Sequence, residues 1–102
     1  MLLEFTDQNF DNEILKSLVV VDFWNPWCSP CNRLNPIIKS FSEHNSDVVV
    51  GKLNTIENPR ITTQLRVDAI PTIMFFKDGK LVKRLLGLHS EQQLQTYLNE
   101  LK

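Results

Sequence analysis

Two cysteines, Cys28 and Cys31, are the residues of this chain whose types and spacing most directly allow chemistry, and the 102 residues contain no other cysteine. Residues three apart are separated by about one helical turn, so the two sulfurs can reach each other to form a disulfide. A Cys-x-x-Cys pair can cycle between dithiol and disulfide, or it can supply two thiolate ligands to a metal.

The residues on either side predict where this pair lies in the fold. The run Val19–Trp24 is apolar and rich in β-branched residues, broken only by Asp22, which predicts a strand buried on both faces. The apolar positions that follow have the i, i+3, i+4, i+7 spacing of a helix: Leu34, Ile37, Ile38 and Phe41. Cys28 is therefore expected at the N-terminus of a helix that follows a buried strand.

A helix N-terminus stabilises an anion because its first N–H groups lack intrahelical partners and the helix dipole is positive there. In such settings the pKa of a thiol falls from about 8.5 into the range ~3.5–7.5. Cys28 is therefore predicted to be the exposed nucleophile. Pro30 suits the first helical turn, where its missing N–H would have had no partner.

Length and composition predict one domain over residues 1–102. The hydrophobic fraction of 42% is sufficient for a core without disulfide staples or metal, and the net charge of −1 gives no reason to expect a nucleic-acid partner.

The start of the chain, Met1–Phe5, has no basic leader or long apolar segment, and no apolar run approaches the ~20 residues that span a bilayer. We therefore expect a cytoplasmic protein without a membrane partner. Structural disulfides are rare in that compartment, which favours a catalytic or metal-binding role for the cysteine pair.

The predicted order of elements is β-α-β-α-β-α-β-β-α, an α/β fold with a central sheet and helices on both faces. The predicted strands are Leu2–Phe5, Leu18–Trp24, Val48–Asn54, Thr72–Phe76 and Leu81–Leu86, the last two joined by a hairpin at Asp78-Gly79. The predicted helices are Asp7–Lys16 capped by Thr6, one from the cysteines to about Glu43 that contains Pro36, a short one capped by Asn58 with Pro59 first, and one opened by a Ser90–Gln93 capping box.

The chain resembles the thioredoxin family over essentially its whole length. The resemblance rests on the Trp-Cys-Ser-Pro-Cys segment Trp27–Cys31, on Val21–Trp24 before it, and on Ile70–Thr72 downstream. It implies the thioredoxin fold, with a mixed five-stranded sheet, and the activity of a protein disulfide reductase.

By this resemblance, Cys28 attacks a substrate disulfide and Cys31 resolves the mixed disulfide, which leaves the pair oxidised. Asp22 is the buried carboxylate that accepts the proton of Cys31, and Lys52 is its charge partner. An aspartate inside the buried run is costly to ionise, so we expect its pKa to be raised on balance.

The resemblance also assigns a docking surface. Pro71 is expected as a cis-proline facing the cysteines, and Ile70 as the donor of backbone groups to an extended substrate segment. Trp27 and Gly87 are expected beside them. Substrates are disulfide-containing proteins, and a flavin-dependent thioredoxin reductase using NADPH re-reduces the protein, which is expected to be a monomer that binds no cofactor or metal itself.

Four departures from the usual family pattern are present. Ser29 replaces the common glycine and, together with Pro30, is expected to tune the redox potential. Asn25-Pro26, Ile56 and Leu88 bear on the choice of partner more than on the chemistry.

Two other interpretations remain open. A structural zinc site needs four ligands, and only His44 and His89 accompany the cysteines, neither at a spacing typical of metal knuckles. The chain could instead be a specialised binding, assembly or redox-regulatory module whose partners recognise the surface around Trp27 and Pro71. Two intact cysteines favour the enzyme, acting as a general cytosolic electron donor.

Overall fold

The computed structural model describes residues 2–102. The strands are β1 (Leu2–Phe5), β2 (Leu18–Trp24), β3 (Val49–Asn54), β4 (Thr72–Lys77) and β5 (Lys80–Leu86). The helices are α1 (Phe10–Glu13), α2 (Ser29–Glu43), α3 (Pro59–Gln64) and α4 (Glu91–Leu101). The predicted order of elements is confirmed; the predicted domain over 1–102 also includes Met1, which lies outside the described residues.

The five strands form one mixed sheet in the order β1-β3-β2-β4-β5. The pairs β1–β3 and β3–β2 are parallel, whereas β2–β4 and β4–β5 are antiparallel. The C-terminal ends of β2 and β3 therefore lie at the same sheet edge as the start of β4 and the end of β5. This edge brings together chain segments that are far apart in sequence.

Side chains of β2 alternate between two cores, one on each face of the sheet, which is why the strand reads as a nearly continuous apolar run. The core beneath α2 and α4 contains Val20, Leu34, Ile38, Phe41, Val50, Phe75, Leu94 and Leu98. The core beneath α1 and α3 contains Phe5, Phe10, Val21, Phe23, Leu53, Ile61 and Phe76. Asp22 points in the same direction as Val20, toward α2.

The first helix is shorter than predicted. Instead of Asp7–Lys16 capped by Thr6, only Phe10–Glu13 is helical, with Asn9 at its N-cap position. Residues 7–9 form a turn, and after Glu13 the backbone tightens into i→i−3 hydrogen bonds at Leu15 and Lys16. The hydroxyl of Thr6 accepts hydrogen bonds from the N–H groups of Gln8 and Asn9, so it caps the turn that precedes the helix.

Phe5 and Phe10 pack against each other, with ring centroids 5.7 Å apart in an edge-to-face arrangement. The predicted capping box of α4 is also present, since Ser90 and Gln93 exchange hydrogen bonds between side chain and backbone. Contacts of this kind can be predicted from the sequence because the two residues of each pair lie within five positions of each other.

Asn58 is the N-cap residue of α3, as predicted, but its side chain makes no cap hydrogen bond there. The carboxylate of Asp7 caps the helix instead, accepting from the N–H groups of Arg60 at 3.0 Å and Ile61 at 2.9 Å. The side chain of Asn58 accepts from the N–H of Asp7, so it holds the capping residue in place.

Candidate active site

Cys28 and Cys31 form a disulfide, with their Cα atoms 5.2 Å apart. Cys28 is the N-cap residue of α2 and is half-buried, whereas Cys31 is completely buried inside the first turn. The predicted position at the junction of β2 and α2 is therefore confirmed. Of the two sulfurs, that of Cys28 is the one accessible to another molecule.

The start of α2 favours negative charge on the sulfur of Cys28. The N–H of Cys31 donates a hydrogen bond to this sulfur at 3.2 Å, and the first turn of the helix contains no acidic residue. Pro30 lies in this turn, as predicted. The helix N-terminus therefore directs an N–H donor and the positive end of its dipole at Cys28.

Asp22 lies in β2 on the face covered by α2, and it is completely buried. Neither of its carboxylate oxygens has a hydrogen-bond partner within residues 2–102. Burial raises the pKa of Asp22 from its ordinary 3.8 to about 7, although the positive charge of Lys52 opposes this shift. The net rise predicted from the sequence is confirmed, and it places this carboxyl where it can exchange a proton near neutral pH.

Lys52 lies beside Asp22 in the paired strand β3, so both side chains point to the same face of the sheet. Its ammonium donates a hydrogen bond to the side-chain oxygen of Asn35 and lies 4.1 Å from the ring centroid of Trp24. Burial lowers the pKa of Lys52, and the nearby Asp22 opposes this effect. The two charged groups thus interact through space, without a direct hydrogen bond.

The role of Asn35 in holding Lys52 was missed in the sequence analysis, although a signal was available. Asn35 is four residues after Cys31, and residues four apart share a helix face. Asn35 therefore lies on the same side of α2 as the buried cysteine, the side that covers Asp22.

The segments before β4 and after β5 lie at the same edge of the sheet as the disulfide. The Ile70–Pro71 peptide bond is cis, as predicted, and it immediately precedes β4. The N–H of Gly87, at the end of β5, donates a hydrogen bond to the carbonyl of Pro71 at 2.8 Å. Gly87 has a φ of 91°, which favours glycine there.

The side chains next to the cysteines are open to solvent. Trp27 is 84% exposed although it is a large aromatic residue, and Ser29 is also exposed. Ile56 and Leu88, two of the positions that depart from the family pattern, are exposed apolar residues in the loops that follow β3 and β5. These exposed apolar side chains therefore lie in loops at the same edge of the sheet as Cys28.

The two histidines have other partners. The Nδ1 atom of His44 lies 2.6 Å from the carboxylate of Glu91, and that of His89 lies 3.0 Å from the carbonyl of Gly87. Residues 2–102 contain no group of three or more His, Cys, Asp or Glu side chains that could hold a metal ion. Within the same residues, no helix is long and apolar enough to cross a membrane.

The comparisons with known proteins agree with this geometry. The sequence model of the family described as Thioredoxin matches residues 1–100. The chain is 39% identical over 102 residues to a thioredoxin of Buchnera aphidicola, an alignment that covers 97% of this chain and 94% of that protein. It is 43% identical to a thioredoxin of Rickettsia bellii over 102 residues, 97% of each chain, and 42% identical to one of Alicyclobacillus acidocaldarius over 98 residues, 94% of this chain and 93% of the relative.

Matches of this extent, together with a Cys-x-x-Cys disulfide at the start of a helix, account for both the fold and the chemistry. Proteins of this kind work without a bound cofactor of their own, because the redox centre is the cysteine pair itself. The chain therefore belongs to the thioredoxin family of thiol–disulfide oxidoreductases.

Proposed function

We propose that this protein is a general electron donor of the cytoplasm that reduces disulfides in other proteins through Cys28 and Cys31. The observation that carries the proposal is the accessible sulfur of Cys28 at the N-terminus of α2, with an N–H donor directed at it. That arrangement stabilises the thiolate, which is the form of cysteine that attacks disulfides.

In the first step, the thiolate of Cys28 attacks one sulfur of a substrate disulfide. A bond forms between Cys28 and the substrate, the substrate S–S bond breaks, and the second substrate sulfur leaves as a thiolate. In the second step, Cys31 attacks the sulfur of Cys28 and releases the remaining substrate thiolate. The two electrons lost by the cysteine pair reduce the substrate, and the pair becomes a disulfide.

Asp22 accepts the proton that Cys31 must lose in the second step. Its pKa of about 7 matches this role, because the carboxyl can be deprotonated before the step and protonated after it. Lys52 limits how far burial raises that pKa. The buried position of Cys31 excludes bulk water from its sulfur, which makes a nearby acceptor necessary.

The substrate segment docks in an extended form along the edge beside Cys28. Trp27 and Leu88 supply exposed apolar surface, and the segment Ile70–Pro71 supplies backbone groups for strand-like hydrogen bonds. Gly87 keeps the neighbouring loop close to Pro71 through its N–H. Exposed Ser29 adjusts the redox potential from its place between the cysteines, together with Pro30.

In the full cycle, a thioredoxin reductase that carries FAD and uses NADPH returns the disulfide to the dithiol. The protein acts as a monomer and as a single domain over residues 1–102, and it takes part in electron transport by passing two electrons from the reductase to its substrates.

Reduction of insulin by dithiothreitol tests the proposal. We expect the wild type to accelerate the reduction strongly and Cys28→Ser to lose that acceleration. A wild type that forms and reduces its own disulfide but leaves the insulin rate unchanged would contradict the proposal. A physiological function retained by the Cys28→Ser, Cys31→Ser double variant would support the binding module instead.

A further inference from the structure

The ammonium of Lys52 has two anchors that hold it beneath α2. One is the side-chain oxygen of Asn35, which accepts its hydrogen bond, and the other is the face of Trp24, at 4.1 Å. Neither oxygen of Asp22 accepts a hydrogen bond from it. The position of the ammonium is therefore set by Asn35 and Trp24, and not by a direct ion pair with Asp22.

An alternative position for this ammonium lies close by. Lys52 lines a cleft of about 230 Å³ between β1 and the loop after β3. Glu4 and Glu57 also line it, so the cleft offers both water and negative charge. A lysine has a flexible four-carbon stem and a strongly hydrated head, so without an anchor its head would favour the cleft.

We propose that Asn35 is a positioning residue that holds the positive charge of Lys52 near Asp22 and away from Glu4 and Glu57 in this cleft. Through Lys52, Asn35 then controls how readily Asp22 gives up its proton. The inference builds on the role proposed for Asp22, but the anchoring itself is a separate property.

Few charged groups lie around Asp22, so its titration reports mainly on the position of the Lys52 ammonium. Lys52 faces it from β3, and the neighbouring position on β4 is the apolar Ile73. The cysteine pair at the start of α2, the helix that covers this face of the sheet, does not titrate while it is a disulfide. Glu4, paired with Lys52 in the sheet, and Glu57 lie on the far side of Lys52, at the cleft.

The experiment follows the carboxyl carbon of Asp22 by ¹³C NMR across a pH titration of the oxidised protein. In Asn35→Ala we expect the pKa of Asp22 to rise by about half a unit, because the ammonium moves toward the cleft and its effect on the carboxyl weakens. The matched control is Asn12→Ala, which truncates an exposed asparagine in α1 and should leave the titration unchanged.

A double-mutant cycle separates anchoring from any other effect of the substitution. In Lys52→Met the pKa of Asp22 should rise further, and adding Asn35→Ala should then change nothing, since no ammonium is left to anchor. An unchanged or lowered pKa in Asn35→Ala would overturn the proposal. So would an equal rise in the Lys52→Met background.

The titration needs neither substrate nor catalysis. It can therefore fail while the insulin assay succeeds, or succeed while the insulin assay fails. The first result would reject Asn35 as a positioning residue and leave the reductase intact; the second would reject the reductase and leave the anchoring intact.

Discussion

At the scale of single residues, the buried carboxyl of Asp22 is the most unusual feature of the protein. A carboxylate with no hydrogen-bond partner inside a sheet destabilises the fold whenever it is ionised. Its pKa of about 7 means that the folded protein keeps this proton at acidic pH and loses it near neutrality. The protein tolerates this cost at the position that we propose as the proton acceptor for Cys31.

The cost predicts a pH-dependent effect of Asp22→Asn on stability. Between pH 3.8 and about 7, unfolding releases the proton of Asp22, so the stability of the wild type falls as the pH rises. Because the pKa of Asp22 is about three pH units higher in the folded protein, the wild type loses on the order of 4 kcal/mol of its free energy of unfolding over this range. The loss is complete above pH 7 and absent below pH 3.8. Asparagine does not ionise, so Asp22→Asn should gain stability over the wild type as the pH rises to 8.

Urea unfolding of the oxidised proteins at pH 4 and pH 8 measures this difference. The stability of Asp22→Asn relative to the wild type should be higher at pH 8 than at pH 4 by several kcal/mol. A difference that is the same at both pH values would show that Asp22 ionises normally in the folded protein.

Some residue-scale features could be predicted from the sequence and others could not. The Cys-x-x-Cys motif predicts the disulfide, and the family resemblance predicts the cis-proline. The raised pKa of Asp22 follows from the presence of one carboxylate in an apolar run. The spacing of Asn35 from Cys31 indicates the face of α2 on which Asn35 lies, but its contact with Lys52 depends on how α2 lies over β3. The same holds for the pair His44–Glu91, whose members are 47 residues apart.

At the scale of elements, local signals located the helices and strands, and distant contacts refined them. The strand boundaries agree with the prediction to within one residue. The bounds of α1 and the side chain that caps α3 differ from the prediction. Turns replace the predicted helix at both ends of α1, and the capping carboxylate of α3 comes from Asp7, more than 50 residues away. The carboxylate of Asp7, in the turn before α1, therefore connects this part of the chain to the start of α3.

Asp7→Ala should therefore destabilise the protein through α3. Losing a side-chain cap costs about 1 kcal/mol, because two N–H groups at the helix start lose their acceptor. The free energy of unfolding in urea measures the loss. Asp7→Asn, which keeps an acceptor oxygen, should recover much of it, and Asp68→Ala, at an exposed position, should cost little. An equal loss in Asp7→Asn and Asp7→Ala would argue against capping.

At the scale of the whole molecule, the sheet order explains why the site lies where it does. The fold class and its mixed sheet were predictable from the order of elements and the family resemblance. The edge that gathers the ends of β2, β3 and β5 with the start of β4 exists only in the folded protein. It brings loops that are distant in sequence, with their exposed apolar side chains, to the same edge of the sheet as Cys28.

This geometry predicts unequal effects of two similar substitutions in one region of the chain. Leu88 and Leu81 are 43% and 42% exposed, but Leu88 follows β5 at the active-site edge and Leu81 lies near the opposite end of that strand. Leu88→Ala should lower kcat/KM for insulin about fivefold, since part of a leucine side chain would no longer be buried by the substrate.

Leu81→Ala serves as the control and should leave kcat/KM unchanged. Both variants should unfold at similar urea concentrations to the wild type, since neither side chain belongs to a core. Equal losses of kcat/KM in the two variants would contradict the placement of the docking surface at this edge.

The most direct test of the account is to trap the mixed disulfide. Cys31→Ser leaves Cys28 able to attack a substrate disulfide but removes the thiol that would resolve the product, so incubation of the reduced variant with insulin should accumulate a covalent adduct. Mass spectrometry under non-reducing conditions should locate the substrate on Cys28, and Cys28→Ser should give no adduct because Cys31 is buried. An adduct of equal yield on Cys31 in Cys28→Ser, or none in Cys31→Ser, would contradict the assignment of Cys28 as the nucleophile.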